Sequence, residues 1–307
     1  MEFLQENRNL MVAFNMFLLF LLIPFGTDNN TGNRSWLDLP LIPFMIQPAE
    51  ICKITYVVIM ASVMASYQNR ISSVRSVVTM VFHETCTGML NPVYEVGQLC
   101  AKYGKILSVD CVSAAGGQNI DVVKNNISIA TSVGGKCVGA YPGSAYICAK
   151  RDVLESLTAK QCKNVYLSLY KHYQSAITTS QTPNTPNVNL FWPLQAALDW
   201  ALEKETLAGR IARYQECAKI LRDGMKEMGL KFLLPEEKMS NTVTSVFLPE
   251  GCKMKVEEFV ETLEKAGYTV YPGKGKYLEM NMFQVANMGA IYPEDCKKFL
   301  AVMKEII

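Results

Sequence analysis

The chain has 307 residues, 50% of them hydrophobic, and a formal net charge of +2 from 30 Lys and Arg against 28 Asp and Glu. That length is enough for two domains, each with its own hydrophobic core. The sequence has no basic stripe with interleaved aromatic residues, so it gives no support for a nucleic-acid site. Ten cysteines without a CxxC pair and only two histidines predict no metal site. The dispersed cysteines are typical of reduced thiols, so we expect a cytoplasmic protein.

The first 73 residues differ from the rest and match no pattern that we can assign. Leu10 to Phe25 is an uncharged apolar run, shorter than the roughly 20 residues of a membrane span. Its length suits a signal-peptide core, and the triplets Asn29-Asn30-Thr31 and Asn33-Arg34-Ser35 are glycosylation-type. The preceding MEFLQENRN lacks the positive flank of a signal. Secretory or mitochondrial targeting, a membrane anchor and a misassembled amino-terminal region stay as alternatives.

From Val74 onward the pattern becomes that of an α/β domain. The predicted elements are a strand over Val74 to Phe82, a turn rich in hydroxyl residues, a helix over Tyr94 to Tyr103, and strands over Ile106 to Asp110 and Ile127 to Val133. This order of strand, helix, strand and strand indicates a mostly parallel sheet.

Two ionisable side chains follow neighbouring predicted strands, Asp110 at the end of one and Lys136 just after Gly134-Gly135. The carboxyl ends of strands in open α/β sheets face the ligand crevice. A carboxylate keeps a pyridine nitrogen protonated and a lysine forms an imine with a carbonyl, which are the two protein groups that pyridoxal phosphate needs. The alternative is that Asp110 caps the following turn and that Lys136 is a solvated loop charge.

The rest of the chain predicts a strand over Ser144 to Ala149, a long helix from Asn187 through Glu205 that continues to Met228, and a smaller α+β unit. The elements of this unit are strands over Thr242 to Leu248, Gly267 to Tyr271 and Glu279 to Val285, and helices over Lys255 to Ala266 and Pro293 to Ile307. We therefore predict a partial large domain over residues 74–206 and a small domain over residues 207–307.

Four segments carry a resemblance to a known family: FHETCTGMLNPVYEVGQLCAKYG, VDCVSAAGG, GGKCVGAYPG and VYPGKGKYLEMNMFQVANMGAIYPED. Together they closely resemble class V pyridoxal-phosphate aminotransferases, and within them the 2-aminoethylphosphonate–pyruvate transaminases, over residues 74–307. The resemblance implies a type I PLP-transferase fold, with a partial large domain and a smaller C-terminal α+β domain. It also implies transfer of the amino group of 2-aminoethylphosphonate to pyruvate, giving phosphonoacetaldehyde and L-alanine in phosphonate catabolism.

The same resemblance assigns roles to individual residues. Lys136 would form the covalent link to the pyridoxal 5'-phosphate cofactor and carry the proton at the substrate α-carbon, and Asp110 would pair with the pyridinium nitrogen. Thr87 and Ser113 would lie in the cofactor site. Thr185 would reach a cofactor phosphate of the neighbouring subunit, which implies a homodimer.

The chain departs from the family pattern in three places. The glycine and hydroxyl loop that cradles the cofactor phosphate at a helix start, and the ring-stacking aromatic, are not found among residues 1–73. Gln284 replaces the arginine that grips the substrate's anionic group, and the SSFGG turn reads Ser113-Ala114-Ala115-Gly116-Gly117. Two alternatives therefore stand beside the transaminase: an impaired or truncated member acting as a non-catalytic fold or dimer partner, and a related alanine–glyoxylate-type enzyme.

Overall fold

The computed structural model describes residues 8–27, 36–38, 48, 77–162 and 164–307, and the chain divides into two compact units, residues 1–76 and 77–307. In the first unit, helices α1 (Arg8–Phe20) and α2 (Leu22–Phe25) precede an antiparallel pair of short strands, β1 (Gly26–Thr27) and β2 (Trp36–Leu37). Within the described ranges no helix has both the length and the apolar composition needed to cross a membrane. Both glycosylation-type triplets lie outside the described residues.

The second unit begins with a four-stranded sheet. Its members are β3 (Val77–Val81), β6 (Ile106–Asp110), β7 (Ile129–Val133) and β8 (Ala145–Ala149), and a small antiparallel hairpin of β4 (His83–Glu84) and β5 (Met89–Leu90) follows β3. The order is β3-β6-β7-β8, with the first three strands parallel and β8 antiparallel to β7. The connection from β7 to β8 is too short for a helical crossover, so β8 runs back beside its neighbour. The predicted mostly parallel sheet is confirmed.

Helix α3 (Val93–Lys102) crosses from β3 to β6 and covers one face of the sheet. Its buried residues Val93, Gly97 and Cys100 are spaced along one helix face. They join a core that includes the fully buried Leu107 and Val109 of β6. Inward-pointing residues of β6 alternate with less buried ones, so burial of this face sets the register of the strand that ends in Asp110.

The predicted long helix is wrong in its continuity. After α4 (Arg151–Glu155) and α5 (Leu169–Thr179) come α6 (Val188–Asp199), a π-helical turn over Trp200–Lys204, and α7 (Leu207–Glu227). Thr206 adopts φ 64° between them, and its hydroxyl accepts a hydrogen bond from the Gly209 N–H as the cap of α7. A side chain that caps a new helix start interrupts the apolar periodicity only briefly, so the periodic pattern alone does not show the break.

A second sheet forms the C-terminal part, in the order β11-β12-β10-β9 with every pair antiparallel. The strands are β9 (Lys231–Phe232), β10 (Val243–Phe247), β11 (Tyr271–Pro272) and β12 (Met282–Ala286), and the helices are α8 (Val256–Lys265), α9 (Lys276–Glu279) and α10 (Pro293–Ile306). The strand predicted over Gly267 to Tyr271 is wrong except at its last residue. Gly267 has φ +91° and returns the chain from α8, so pairing begins only at Tyr271.

Gly97 provides a test of how α3 sits on the sheet. A Cβ at this position would lie 1.9 Å from the Asn125 carbonyl oxygen, so Gly97→Ala forces the helix and this loop apart. Alanine in a helix interior gains about 1 kcal/mol over glycine, yet we expect a net loss of about 1–3 kcal/mol in the free energy of unfolding, because overpacking outweighs propensity.

Denaturant unfolding measures the change. The matched control is Gly209→Ala in the first turn of α7, where the nearest neighbour of the added methyl is the Thr206 hydroxyl at 3.2 Å. A Gly97→Ala variant that is as stable as the control would contradict this packing.

Candidate active site

Three parallel strands end at one edge of the first sheet. Val81 of β3 pairs with Asp110 of β6, and Asp110 pairs in turn with Thr131 of β7. The next backbone hydrogen bonds continue this row, from the Phe82 N–H to the Asp110 carbonyl and from the Cys111 N–H to the Thr131 carbonyl, both at 2.8 Å. The residues beyond each strand therefore emerge side by side at the carboxyl edge, where ligands bind in such sheets.

Asp110 lies at the end of the strand between β3 and β7 and is half-buried. Its Oδ1 accepts a hydrogen bond of 2.8 Å from the Val112 N–H, which holds the carboxylate at the start of the following turn. Among the described residues it forms no ion pair, and its second oxygen makes no hydrogen bond. The predicted turn cap is thus present, and it leaves one carboxylate oxygen for another partner.

Lys136 lies in a tight loop between β7 and β8. The Gly134 N–H donates to the Ser144 carbonyl at 3.1 Å, the Ala140 N–H to the Gly134 carbonyl at 2.8 Å, and the Gly139 N–H to the Lys136 carbonyl at 3.0 Å. A Cβ on Gly135 would come within 2.8 Å of the Pro142 Cα, so a side chain cannot be accommodated directly before the lysine without moving the backbone. In the described part of the chain the Lys136 amine has no hydrogen bond or ion pair.

The loops that follow Asp110 and contain Lys136 are in contact. The Cys137 thiol lies 3.6 Å from the Ser113 carbonyl, and a Cβ on Gly117 would lie 2.8 Å from the Cys137 sulfur. The second glycine of the SAAGG turn therefore lets the turn approach the residue after the lysine closely. Chain segments next to Asp110 and Lys136 thus pack against each other at the same sheet edge.

His83 is a site residue that sequence reasoning missed. It follows the end of β3, is 2% exposed, and places Nδ1 2.7 Å from the Ser113 carbonyl. A carbonyl only accepts, so Nδ1 carries the proton and Nε2 presents a lone pair. Nε2 is buried without a partner among the described residues. The position directly after a predicted strand was the available signal.

The pKa of His83 is lowered. Burial is the main cause, and the positive charge of Lys136 lowers it further against the raising effects of the Ser113 hydrogen bond and of Glu84. The imidazole is therefore neutral at neutral pH, and the lysine charge lies close enough to act on it.

A hydrogen-bonded chain joins the second sheet to this edge. The Thr85 and Ser113 hydroxyls lie 2.9 Å apart. Gln284 of β12 donates its two amide N–H groups to the Thr85 carbonyl and the Ser245 hydroxyl, each at 3.0 Å. Gln284 thus contacts the hydroxyl-rich turn, and both of its amide donors are engaged.

The two predicted threonines form no hydrogen bond to this cluster among the described residues. The Thr87 hydroxyl accepts a hydrogen bond of 3.3 Å from the Met89 N–H within its own turn. Thr185 is exposed in the loop before α6, and none of its hydrogen bonds within the described residues joins it to the cluster. Of the hydroxyl residues in the FHETCTG segment, Thr85 is therefore the one that contacts Ser113.

The model of a family described as aminotransferase class-V matches residues 49–288, starting upstream of Val74, where the resemblance predicted from the motifs begins. The 2-aminoethylphosphonate–pyruvate transaminase of Vibrio cholerae is 34% identical over 235 residues, which cover 75% of this chain and 62% of that protein. The bifunctional phosphonoacetaldehyde hydrolase/aminoethylphosphonate transaminase of Clostridioides difficile is 32% identical over 75% of this chain. The chain thus spans less than two thirds of the length of these relatives.

Solved structures show the same fold. Alanine–glyoxylate aminotransferase from Nostoc sp. superposes with a TM-score of 0.68 at 23% identity, covering 80% of this chain and 64% of that one. Pyridoxamine–pyruvate aminotransferase from Mesorhizobium loti gives a TM-score of 0.69 at 24% identity, covering 80% and 62%. The type I PLP-transferase fold predicted from the motifs is confirmed. The chain belongs to the class V aminotransferase family.

Proposed function

We propose that this chain provides the residues that bind the ring and the carbonyl of the cofactor in a pyridoxal-phosphate-dependent transaminase. The reaction moves the amino group of 2-aminoethylphosphonate to pyruvate and gives phosphonoacetaldehyde and L-alanine. The observation that carries the proposal is the placement of Asp110 and Lys136 beyond neighbouring parallel strands whose following loops touch. The names of the relatives from Vibrio cholerae and Clostridioides difficile support the phosphonate donor.

The residues at this edge fit the ring and carbonyl ends of pyridoxal phosphate. Asp110 has a free carboxylate oxygen, and the amine of Lys136 has no partner among the described residues. The buried and unpartnered Nε2 of His83 adds an acceptor at the same edge. A buried polar atom without a partner is unfavourable by about 1–3 kcal/mol, so this edge favours a polar ligand.

Each residue then has a definable task. Asp110 would hold a proton on the ring nitrogen through its carboxylate, and Lys136 would bind the cofactor carbonyl and take up the proton at the substrate α-carbon on Nζ. Ser113 and Thr85 would fix the turn between these groups. When bound, pyridoxal phosphate supplies the electron sink for bonds at that carbon. Neutral His83 adds no positive charge that would compete with the ring nitrogen for the Asp110 carboxylate.

A homodimer is part of this proposal. Thr185 lies on an exposed loop, and the following helix α6 exposes Val188, Phe191 and Trp192, the last of them 77% exposed. Contiguous exposed apolar side chains are typical of interaction surfaces. In the homodimer Thr185 would then reach the cofactor phosphate of the partner subunit, while Thr87 would serve its own site.

One observation favours a second candidate function. Gln284 uses both amide donors on Thr85 and Ser245, so it offers no cation and only its carbonyl oxygen as a free group. A phosphonate is a dianion that pairs best with a guanidinium. The second candidate is a family member that keeps the fold and the cofactor residues but turns over a phosphonate poorly, and that serves as the partner of a complete copy.

The cofactor role of Lys136 is tested by reduction. We expect protein incubated with pyridoxal phosphate and then borohydride to carry the reduced cofactor on Lys136, because this amine is free and lies at the strand edge. Peptide mass spectrometry identifies the modified lysine. Lys136→Arg should lose the label, and Lys150→Arg, at an exposed lysine directly after β8, should retain it. Label confined to other lysines would reject the role of Lys136.

Substitution of Gln284 tests the donor. Gln284→Arg should raise kcat/KM for 2-aminoethylphosphonate by about ten- to a hundredfold, since one hydrogen bond to a charged group contributes about 1.5–3 kcal/mol. Gln284→Lys adds charge without the guanidinium fork and should gain less, and Gln284→Leu should gain nothing. Steady-state kinetics with pyruvate as acceptor measures all three. Equal kcat/KM in the arginine and leucine variants would place the phosphonate away from residue 284.

A further inference from the structure

Helix α7 contacts both the loop that contains Lys136 and the loop that follows β12. Tyr214 is fully buried, and its hydroxyl lies 3.1 Å from the Cys137 carbonyl, to which it donates. The same hydroxyl accepts a hydrogen bond of 3.0 Å from the Gly289 N–H. A single oxygen atom therefore joins the residue after Lys136 to the end of the segment that contains Gln284.

Two arginines on the same helix reinforce this contact. Arg210 donates to the Cys137 and Val138 carbonyls at 3.2 and 2.8 Å, so the Cys137 carbonyl accepts from both Tyr214 and Arg210. Arg213 donates to the Gly289 carbonyl at 3.1 Å, and its guanidinium stacks over the Tyr214 ring at 4.6 Å. Each loop is thus held by one arginine, with Tyr214 between them.

Glu205 holds the two arginines together. Its carboxylate accepts from Arg210 at 2.7 Å and from Arg213 at 2.6 Å, and the three side chains are 14%, 7% and 11% exposed. Burial alone would raise the pKa of Glu205, but the hydrogen bonds and charges of Arg213 and Arg210 outweigh it and lower the pKa. One anion between two cations leaves an excess positive charge, and the backbone carbonyls of Cys137, Val138, Gly289 and Ile291, which accept from the arginines, compensate it.

We propose that these four residues, which we name the α7 clamp (Glu205, Arg210, Arg213 and Tyr214), position Lys136 and couple it to the loop after β12. The coupling rests on the proposed function only in that Lys136 is the cofactor lysine. Among the described residues no member of the clamp hydrogen-bonds to the lysine amine, and the clamp contacts the lysine loop through backbone carbonyls, so its members are positioning residues. A ligand that shifts β12 through Gln284 shifts the Gly289 loop, and the clamp passes that shift to the backbone beside Lys136.

Hydrogen exchange of the full chain without cofactor tests the coupling. Tyr214→Phe removes only the hydroxyl. We expect the amide exchange rate to rise about three- to tenfold, which is the effect of losing one neutral hydrogen bond. The rise should occur at Gly289 and also at Gly139 and Ala140, whose amides are hydrogen-bonded inside the lysine loop. Tyr268→Phe is the matched control, because the ring of Tyr268 packs edge-on against Phe299 and its hydroxyl makes no hydrogen bond among the described residues. It should leave both segments unchanged.

A rise at Gly289 alone would overturn the coupling. Because this readout needs no cofactor, it stays decisive if the wild-type protein takes up no label on Lys136, a result that would reject the proposed function alone. The proposal is supported if both loops exchange faster in Tyr214→Phe and if pyridoxal phosphate labels Lys136 more slowly in that variant. Tyr268→Phe should match the wild type in both measurements.

Glu205→Gln provides a second variant with a defined pH dependence. The pKa of Glu205 is lowered in the folded protein, so its stabilisation is present above the unfolded pKa of about 4.5 and is lost as the pH falls through the folded value. At pH 7 both loops should exchange faster in the variant than in the wild type. Below the folded pKa of Glu205 the two proteins should become alike. Equal exchange at pH 7 would overturn the role of the carboxylate.

Discussion

The in-register pairing of β3, β6 and β7 is the constraint on which the rest of the site depends. One row of paired residues joins Val81 and Asp110, the last residues of β3 and β6, to Thr131 of β7, which continues two residues further to Val133. A slip of one residue in β6 would turn Asp110 to the other face and expose Leu107 and Val109. Burial of those side chains under α3 therefore selects the register, and the register in turn determines where the carboxylate emerges.

Glycines convert this shared edge into a crevice. Gly135 lets the lysine loop fold back against Pro142, and Gly117 lets the turn after Asp110 lie against Cys137. A side chain at either glycine would clash with the facing segment and push the two segments apart. The resulting contact is local and steric and joins the segment that follows Asp110 to the residue after Lys136, and neither charged side chain forms an ion pair in the described structure. Both groups remain available for a ligand.

The second sheet joins the site through polar contacts. Gln284 meets the Thr85 carbonyl, and the α7 clamp meets both the lysine loop and Gly289. Membership of the class V aminotransferases follows from the match over residues 49–288. The phosphonate donor, the cofactor and the homodimer rest on the proposed function. The neutral side chain at Gln284 is the feature of this chain that bears most directly on the choice of donor.

Local patterns in the sequence were enough to predict the strand that ends in Asp110, helix α3, the closing helix α10 and the family, because apolar periodicity and short motifs are properties of neighbouring residues. They did not show the break at Thr206, the antiparallel direction of β8 or the role of His83. The break depends on the Thr206 cap and on Glu205, whose arginine partners lie in the next helix, and the direction of β8 depends on the short connection from β7. The contact of His83 with Ser113 joins residues that are distant in the chain. The sequence alone determined the family and the order of the elements that carry Asp110 and Lys136. Only tertiary packing decided which of them touch, because a contact between distant segments leaves no periodic signal in either one.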